Sequence, residues 1–178
     1  FRINLSDVDE YDVSPVTDTN GAANTVAENA ADGSAVGITA AASDADATQN
    51  GITYSLLDDA GGRFTIHAAT GVVTLADGAQ LDRETAASHA IVVRVTSADG
   101  SIDTRGFVIH VADVDEYDVG PVADANTAAD TVTENTATGS AVGITARAND
   151  ADASNHDIRY SLDDDAGGRF AIDSATGV

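Results

Sequence analysis

Shifted by 106 residues, the sequence matches itself without a gap: residues 7–72 lie over 113–178, with 47 of 66 aligned positions identical. A period of this length, in a chain of 178 residues, makes the unit a small domain rather than a short solenoid turn. The opening FRINLS also aligns with FVIHVA at 107–112. The chain therefore reads as the last strand and linker of a preceding copy (1–10), a complete copy with its linker (11–116) and a partial second copy (117–178). The second copy has no counterpart of residues 73–106, so it is expected to continue in a longer array or to be completed by strands of a neighbour.

Short runs that alternate with a period of two give β structure throughout. Val36 and Ile38 share a face, as do Phe64 and Ile66, Val73 and Leu75, Ile91, Val93 and Val95, and Phe107, Ile109 and Val111. Breakers separate these runs: Asp58-Asp59-Ala60-Gly61-Gly62, Thr70-Gly71, Ala76-Asp77-Gly78 and Ala98-Asp99-Gly100. The only helical signal is a turn around residues 83–88. Pro15 and Pro121 are expected to set the start of the first strand, because proline supplies no ladder donor. Short strands at this spacing over about 100 residues predict an all-β fold, a Greek-key β-sandwich in tandem repeats. Four Tyr, four Phe and no Trp leave its core aliphatic and thin.

Charge narrows the function. Thirty acids against eight bases give a formal net charge of −22, the opposite of the basic footprint that phosphate backbones require, so nucleic acid is not an expected partner. Cysteine is absent, which removes disulfides, thiolate nucleophiles and Cys-ligated zinc. No apolar run reaches the ~18 residues of a membrane span, so no membrane insertion is expected in this segment.

The acids are not scattered. They cluster at element ends and recur in both copies: Asp-Val-Asp-Glu-Tyr-Asp at 7–12 and 113–118, Glu-Asn at 28–29 and 134–135, and Asp-Ala-Asp-Ala at 44–47 and 150–153. Leu-Asp-Arg-Glu (81–84) and Ala-Asp-Gly (98–100) join them, and the clusters contain all five glutamates of the chain. Together with Tyr-Ser-Leu, Phe-x-Ile and Thr-Gly-Val, this ordered series resembles a cadherin repeat over nearly the whole chain. Its acidic, Ala/Asp/Gly/Thr-rich style resembles the bacterial cadherin-like repeats of large secreted adhesins.

The resemblance implies a seven-stranded sandwich with calcium at each junction between consecutive repeats. For the junction between the complete and the partial copy, it implies Glu28, Asp82 and Glu84 from the first, Asp113, Asp115, Glu116 and the Tyr117 carbonyl from the linker, and Asp150 and Asp152 from the second. The junction at 7–11 has the complementary half: Asp7, Asp9, Glu10 and Tyr11, with Asp44, Asp46, Asn50 and Asp99 from the repeat below. The family linker usually reads Asp-x-Asn-Asp-Asn, whereas this one reads Asp-Val-Asp-Glu-Tyr; three ions per junction are thus an expectation only. Electrostatics favours the same ion. Eight carboxylates on one joint would repel by roughly 4 kcal/mol per pair at 4 Å and an effective dielectric of 20. A hard cation taking six to eight oxygens at about 2.3–2.6 Å suits an all-oxygen set, whereas magnesium demands stricter octahedra and zinc prefers N and S ligands. An EF-hand is excluded, because counting from Asp44 the sixth position is Gln49 and the twelfth Ser55.

Other chemistries fit less well. Paired carboxylates suffice for glycoside hydrolysis, but here they sit at joints in a set that a metal explains better. Neither His67 nor His156 recurs, since Asp173 and Asn50 occupy the matching positions; no enzyme is expected. Calcium-dependent binding of carbohydrate such as exopolysaccharide is the alternative, weakened because all eight aromatics are assigned to linkers and strands. The sequence thus predicts an extracellular or cell-surface structural and adhesion repeat. In it, calcium stiffens a tandem array into a rod or filament for cell adhesion or biofilm matrix. Its partners would be neighbouring repeats, like molecules or surface polysaccharide.

Overall fold

The computed structural model describes residues 1–178 other than Leu5, Asp7, Ala47, Ala153 and Asn155. Two compact units emerge, Phe1–Val114 and Asp115–Val178. Among the described residues of the first, eight strands form: β1 (Thr17–Asp18), β2 (Thr25–Ala27), β3 (Ala35–Ala41), β4 (Ile52–Asp58), β5 (Phe64–Ile66), β6 (Val72–Leu75), β7 (Ser88–Ser97) and β8 (Ile102–Ala112). They pair as two four-stranded sheets, β1-β3-β6-β5 and β2-β8-β7-β4. All neighbours are antiparallel except β2, which runs parallel to β8 with Val26 opposite Val111. No α-helix occurs among the described residues.

The alternation seen in the sequence is the burial pattern of these strands. Val36, Ile38, Val73 and Leu75 of one sheet and Ile91, Val93, Val95, Ile109 and Val111 of the other are buried in a single cluster. Tyr54, Phe64 and Phe107 are its only aromatic members. Tyr54 also has polar work, since its hydroxyl accepts the Ala42 amide at 3.0 Å. Beyond the runs read from sequence, the structure shows a divided first strand. β1 pairs with β3 and β2 with β8, so the chain crosses between sheets at residues 19–24. Two-residue and three-residue strands carry too little alternation to be seen in sequence, and their register depends on distant partners. The proline reading is close: Pro15 precedes β1 by two residues, and the Val16 amide leaves the ladder to donate to Asp103 Oδ2 at 2.8 Å.

Close backbone approach dictates two glycines. A Cβ on Gly37 (φ +83°) would lie 2.1 Å from the Ala23 carbonyl oxygen, and one on Gly71 (φ +70°) 2.1 Å from that of Ala40. Only glycine tolerates either position. Both recur in the second unit, where Gly143 meets Ala129 at 2.3 Å and Gly177 meets Ala146 at 2.2 Å.

The second unit retains the local geometry of the first. β9 (Ala123–Asp124) and β10 (Ala146–Arg147) pair as β1 pairs with β3, and the Tyr160 amide donates to Ser174 as Tyr54 does to Ala68. Its apolar side chains are nevertheless open: Val132, Ile144, Leu162 and Phe170 are exposed. The described residues of 1–6 are exposed and lie outside the strands. One expectation needs correction: not all aromatics are engaged, since Phe1, Tyr11, Tyr117 and Phe170 are exposed.

The two copies provide an internal comparison. Ile38 is 1 % exposed and its counterpart Ile144 is 45 % exposed. Ile38→Ala is expected to destabilise the first unit by about 2–5 kcal/mol, and Ile144→Ala to change stability by no more than about 0.5 kcal/mol, measured by denaturant unfolding.

Candidate metal centre

Three carboxylates meet at one end of the first unit. Asp46, in the segment after β3, is 5 % exposed; Asp99 sits in the turn between β7 and β8, and Asp9 precedes the first strand. One oxygen of each lies within 4.8 Å of the other two. Oxygens that share a single ion at 2.6 Å are separated by at most about 5 Å, so this triplet can surround one calcium.

Asp46 and Asp99, with the neighbouring Asp44, are held by neutral donors. Asp46 accepts the amides of Glu10 (3.1 Å to Oδ1) and Tyr11 (3.2 Å to Oδ2), so a buried carboxylate fixes the path of the N-terminal segment. Its own amide donates to Asp44 Oδ1 at 3.0 Å, and Asp44 Oδ2 accepts the Ser97 hydroxyl. Asp99 Oδ1 accepts the Ser101 amide at 2.7 Å and hydroxyl at 2.8 Å. Asn50 closes the loop by donating Nδ2 to the Asp46 carbonyl at 2.7 Å. With amides and hydroxyls as donors, the set presents oxygen-only chemistry, which fits a hard divalent cation.

Asp9 and Asp44 are shifted in opposite directions. Partial loss of water and the Asp99, Asp46 and Asp44 carboxylates push Asp9 above the ordinary aspartate value. Asp44 moves the other way, held down by the Ser97 hydroxyl and then by the Asp46 amide.

Asp7 lies outside the described residues. Asp9, Glu10, Tyr11, Asp44, Asp46, Asn50 and Asp99 come together as described, Glu10 and Tyr11 through their amides. Tyr11 is 57 % exposed. At the opposite end of the same unit, Glu28 is 6 % exposed and grips two amides, Arg83 at 2.6 Å through Oε2 and Val114 at 2.7 Å through Oε1. Asp82 caps the turn at 83–86, accepting the Thr85 amide at 2.9 Å and hydroxyl at 2.6 Å, which hold it below its ordinary value. Glu84 is exposed beside it, and Asp113 follows β8.

In the second unit the linker arrangement repeats. Asp152, 5 % exposed, accepts Glu116 N at 3.1 Å and Tyr117 N at 3.2 Å, while its own amide donates to Asp150 Oδ1 at 3.3 Å. The Asp152 carboxylate, followed by burial and by Asp150, pushes Asp115 up. Reasoning from sequence missed the supporting hydroxyls of Ser97, Ser101 and Thr85. Their signal, a serine two residues before and two after Asp99, is too common to stand out.

Known proteins agree with this architecture. Residues 23–112, half of the chain, match the cadherin domain family. This chain belongs to the cadherin family. It is 35 % identical to human Protocadherin Fat 1 over 173 residues, 96 % of this chain and 4 % of that protein. Mouse Cadherin EGF LAG seven-pass G-type receptor 1 is 40 % identical over 120 residues, 66 % of this chain and 4 % of that protein. The chain thus spans about 4 % of the length of these relatives. The crystal structure of mouse Cadherin-23 EC22-24 superposes with a TM-score of 0.71 at 26 % identity, covering 97 % of this chain and 54 % of that one. The Protocadherin gammaB7 EC3-6 cis-dimer structure gives 0.76 at 20 % identity, covering 98 % and 44 %. Cadherin domains are extracellular or cell-surface adhesion repeats that bind calcium as a family property, and this segment shares that location. No helix among the described residues is long and apolar enough to cross a membrane.

The titration shifts predict opposite effects in metal-free protein. Asp9 has its folded value raised, so its charge opposes folding at neutral pH and the penalty disappears as pH falls below the unfolded value. Asp44 has its folded value lowered, so its contribution is present at neutral pH and is lost as pH falls through the folded value. In chelator at pH 7, Asp9→Asn should raise the melting temperature and Asp44→Asn should lower it, with both differences shrinking in the acid range.

Proposed function

We propose that this chain is a stretch of tandem cadherin-like repeats, bounded at 1–10, 11–116 and 117–178, whose biochemical act is to bind calcium at its junctions. The observation that supports this best is the meeting of Asp9, Asp46 and Asp99 around a nearly buried carboxylate. The same arrangement of amides around Asp152 in the second copy adds weight. Asp9, Asp44, Asp46 and Asp99, with Glu10, Tyr11, Asn50 and Asp7, would hold calcium at the first junction. Glu28, Asp82, Glu84, Asp113, Asp115, Glu116, Tyr117, Asp150 and Asp152 would supply oxygens at the next.

The mechanism is linkage. Carboxylates packed together repel, and a cation that binds only the ordered arrangement shifts the population toward it. Each successive joint ordered in this way would extend the array into a rod or filament. A large secreted bacterial adhesin, working in cell adhesion or biofilm matrix, is the setting we infer from the lysine-free acidic composition and near-identical copies. We infer no catalytic role. Calcium-bridged polysaccharide binding is a second reading, favoured by the exposed ring of Tyr11 beside the acid cluster.

Calorimetric titration of the 178-residue chain should give saturable calcium binding in the range of about 10⁻⁴–10⁻³ M typical of extracellular modules. At 100 times the dissociation constant, each site should add about 2.7 kcal/mol of stability, read from unfolding with calcium against chelator. Asp46→Asn should abolish the gain from the first site. Calcium that neither binds nor stabilises would make the acids a solubility feature and move the polysaccharide reading to first place.

A further inference from the structure

Asparagine precedes glycine at two places, Asn20–Gly21 and Asn50–Gly51, and the second pair lies in the loop that presents Asp46. Asn50 is exposed, and its side-chain amide holds that loop through the 2.7 Å bond to the Asp46 carbonyl. One residue earlier, Gln49 takes a left-handed backbone (φ 59°) and its carbonyl accepts the Ser97 hydroxyl at 3.2 Å. A glycine after asparagine leaves no side chain to shield its own backbone nitrogen from the asparagine Cγ, and it frees the backbone to approach. Gly51 also lies outside the sheet ladder, which begins at Ile52 opposite Ser97. In the second copy the matching pair is His156–Asp157, which has neither the amide nor the glycine.

We propose that Asn50 is a self-modification site, deamidated by attack of the Gly51 nitrogen, and that its product loosens the loop carrying Asp46. The Gly51 nitrogen gives up its proton and bonds to Asn50 Cγ; the Cγ–Nδ2 bond breaks and ammonia leaves, giving a cyclic imide. Water opens the imide at either carbonyl and leaves aspartate or isoaspartate. Water is the only co-reactant, and nothing is oxidised or reduced. The product has no N–H for the Asp46 carbonyl, sets a negative oxygen against it, and adds a charge to the cluster of Asp9, Asp44, Asp46 and Asp99. The modification needs no metal; only its effect on ion binding rests on the calcium reading above.

The test is to age the 178-residue chain at mildly alkaline pH and locate the amide-to-acid mass gain by peptide mapping. Conversion is expected at Asn50, and at the exposed Asn20, well before Asn24, Asn126 and Asn149, which precede Thr, Thr and Asp. Gly51→Ala should preserve the Asn50 amide without disturbing the fold, because the added Cβ meets only Ala98 Cβ, at 3.8 Å. Asn50→Asp should lower the melting temperature in chelator by about 4–8 °C, the effect of one lost hydrogen bond in a domain of this size. Conversion of Asn20 with Asn50 intact, equal conversion in Gly51→Ala, or an unchanged melting temperature for Asn50→Asp would each overturn the proposal. Conversion of Asn50 in a chain that binds no calcium would uphold the modification and defeat the calcium reading instead.

Discussion

A carboxylate that is almost fully buried, and that accepts two backbone amides, governs the end of this sandwich. Removing an ionised group from water is expensive unless its charge is met. Asp46 accepts two amides from the Glu10–Tyr11 segment and lies beside two further carboxylates, Asp9 and Asp99. The chain has only eight basic residues, all arginine, and among the described residues no arginine is seen donating to Asp9, Asp46 or Asp99. Protein groups shape the site, and in the function proposed above a cation from solution would supply the opposing charge.

The rest of the fold positions that carboxylate. Asp99 is placed by the hairpin between β7 and β8, the longest strands of the chain, and Ser97 and Ser101 on either side of that turn anchor Asp44 and Asp99. The core beneath is built of Val, Ile and Leu with three aromatics, so its hydrophobic contribution is modest for a sandwich of this length. In the function proposed above, ion binding at the acidic end would add to the stability of a domain with a thin core, so that fold and site would share one free-energy balance.

Sequence carried the long strands and the acids but not the finer geometry. Val36/Ile38 and Ile91/Val93/Val95 alternate strongly enough to declare both strand and face. The split first strand was hidden, because β1 and β2 are too short for periodicity and each is defined by partners more than twenty residues away. The acid clusters were legible through repetition: Asp46 and Asp152 stand at matching positions in two copies that differ at the neighbouring Asn50 and His156. What no pattern could reveal was how Asp46 is satisfied, since its donors are backbone amides that any residue could provide. The exposure of Tyr11 and Tyr117 was misjudged for a related reason, as a linker assignment does not say which side of the linker faces water.

The central claim is that Asp9, Asp46 and Asp99 hold a calcium ion. Anomalous diffraction from crystals grown in calcium addresses it most directly. The account predicts a strong peak bonded to oxygens of all three carboxylates at about 2.3–2.6 Å. An arginine or a water at that point in crystals that bind calcium elsewhere would contradict it.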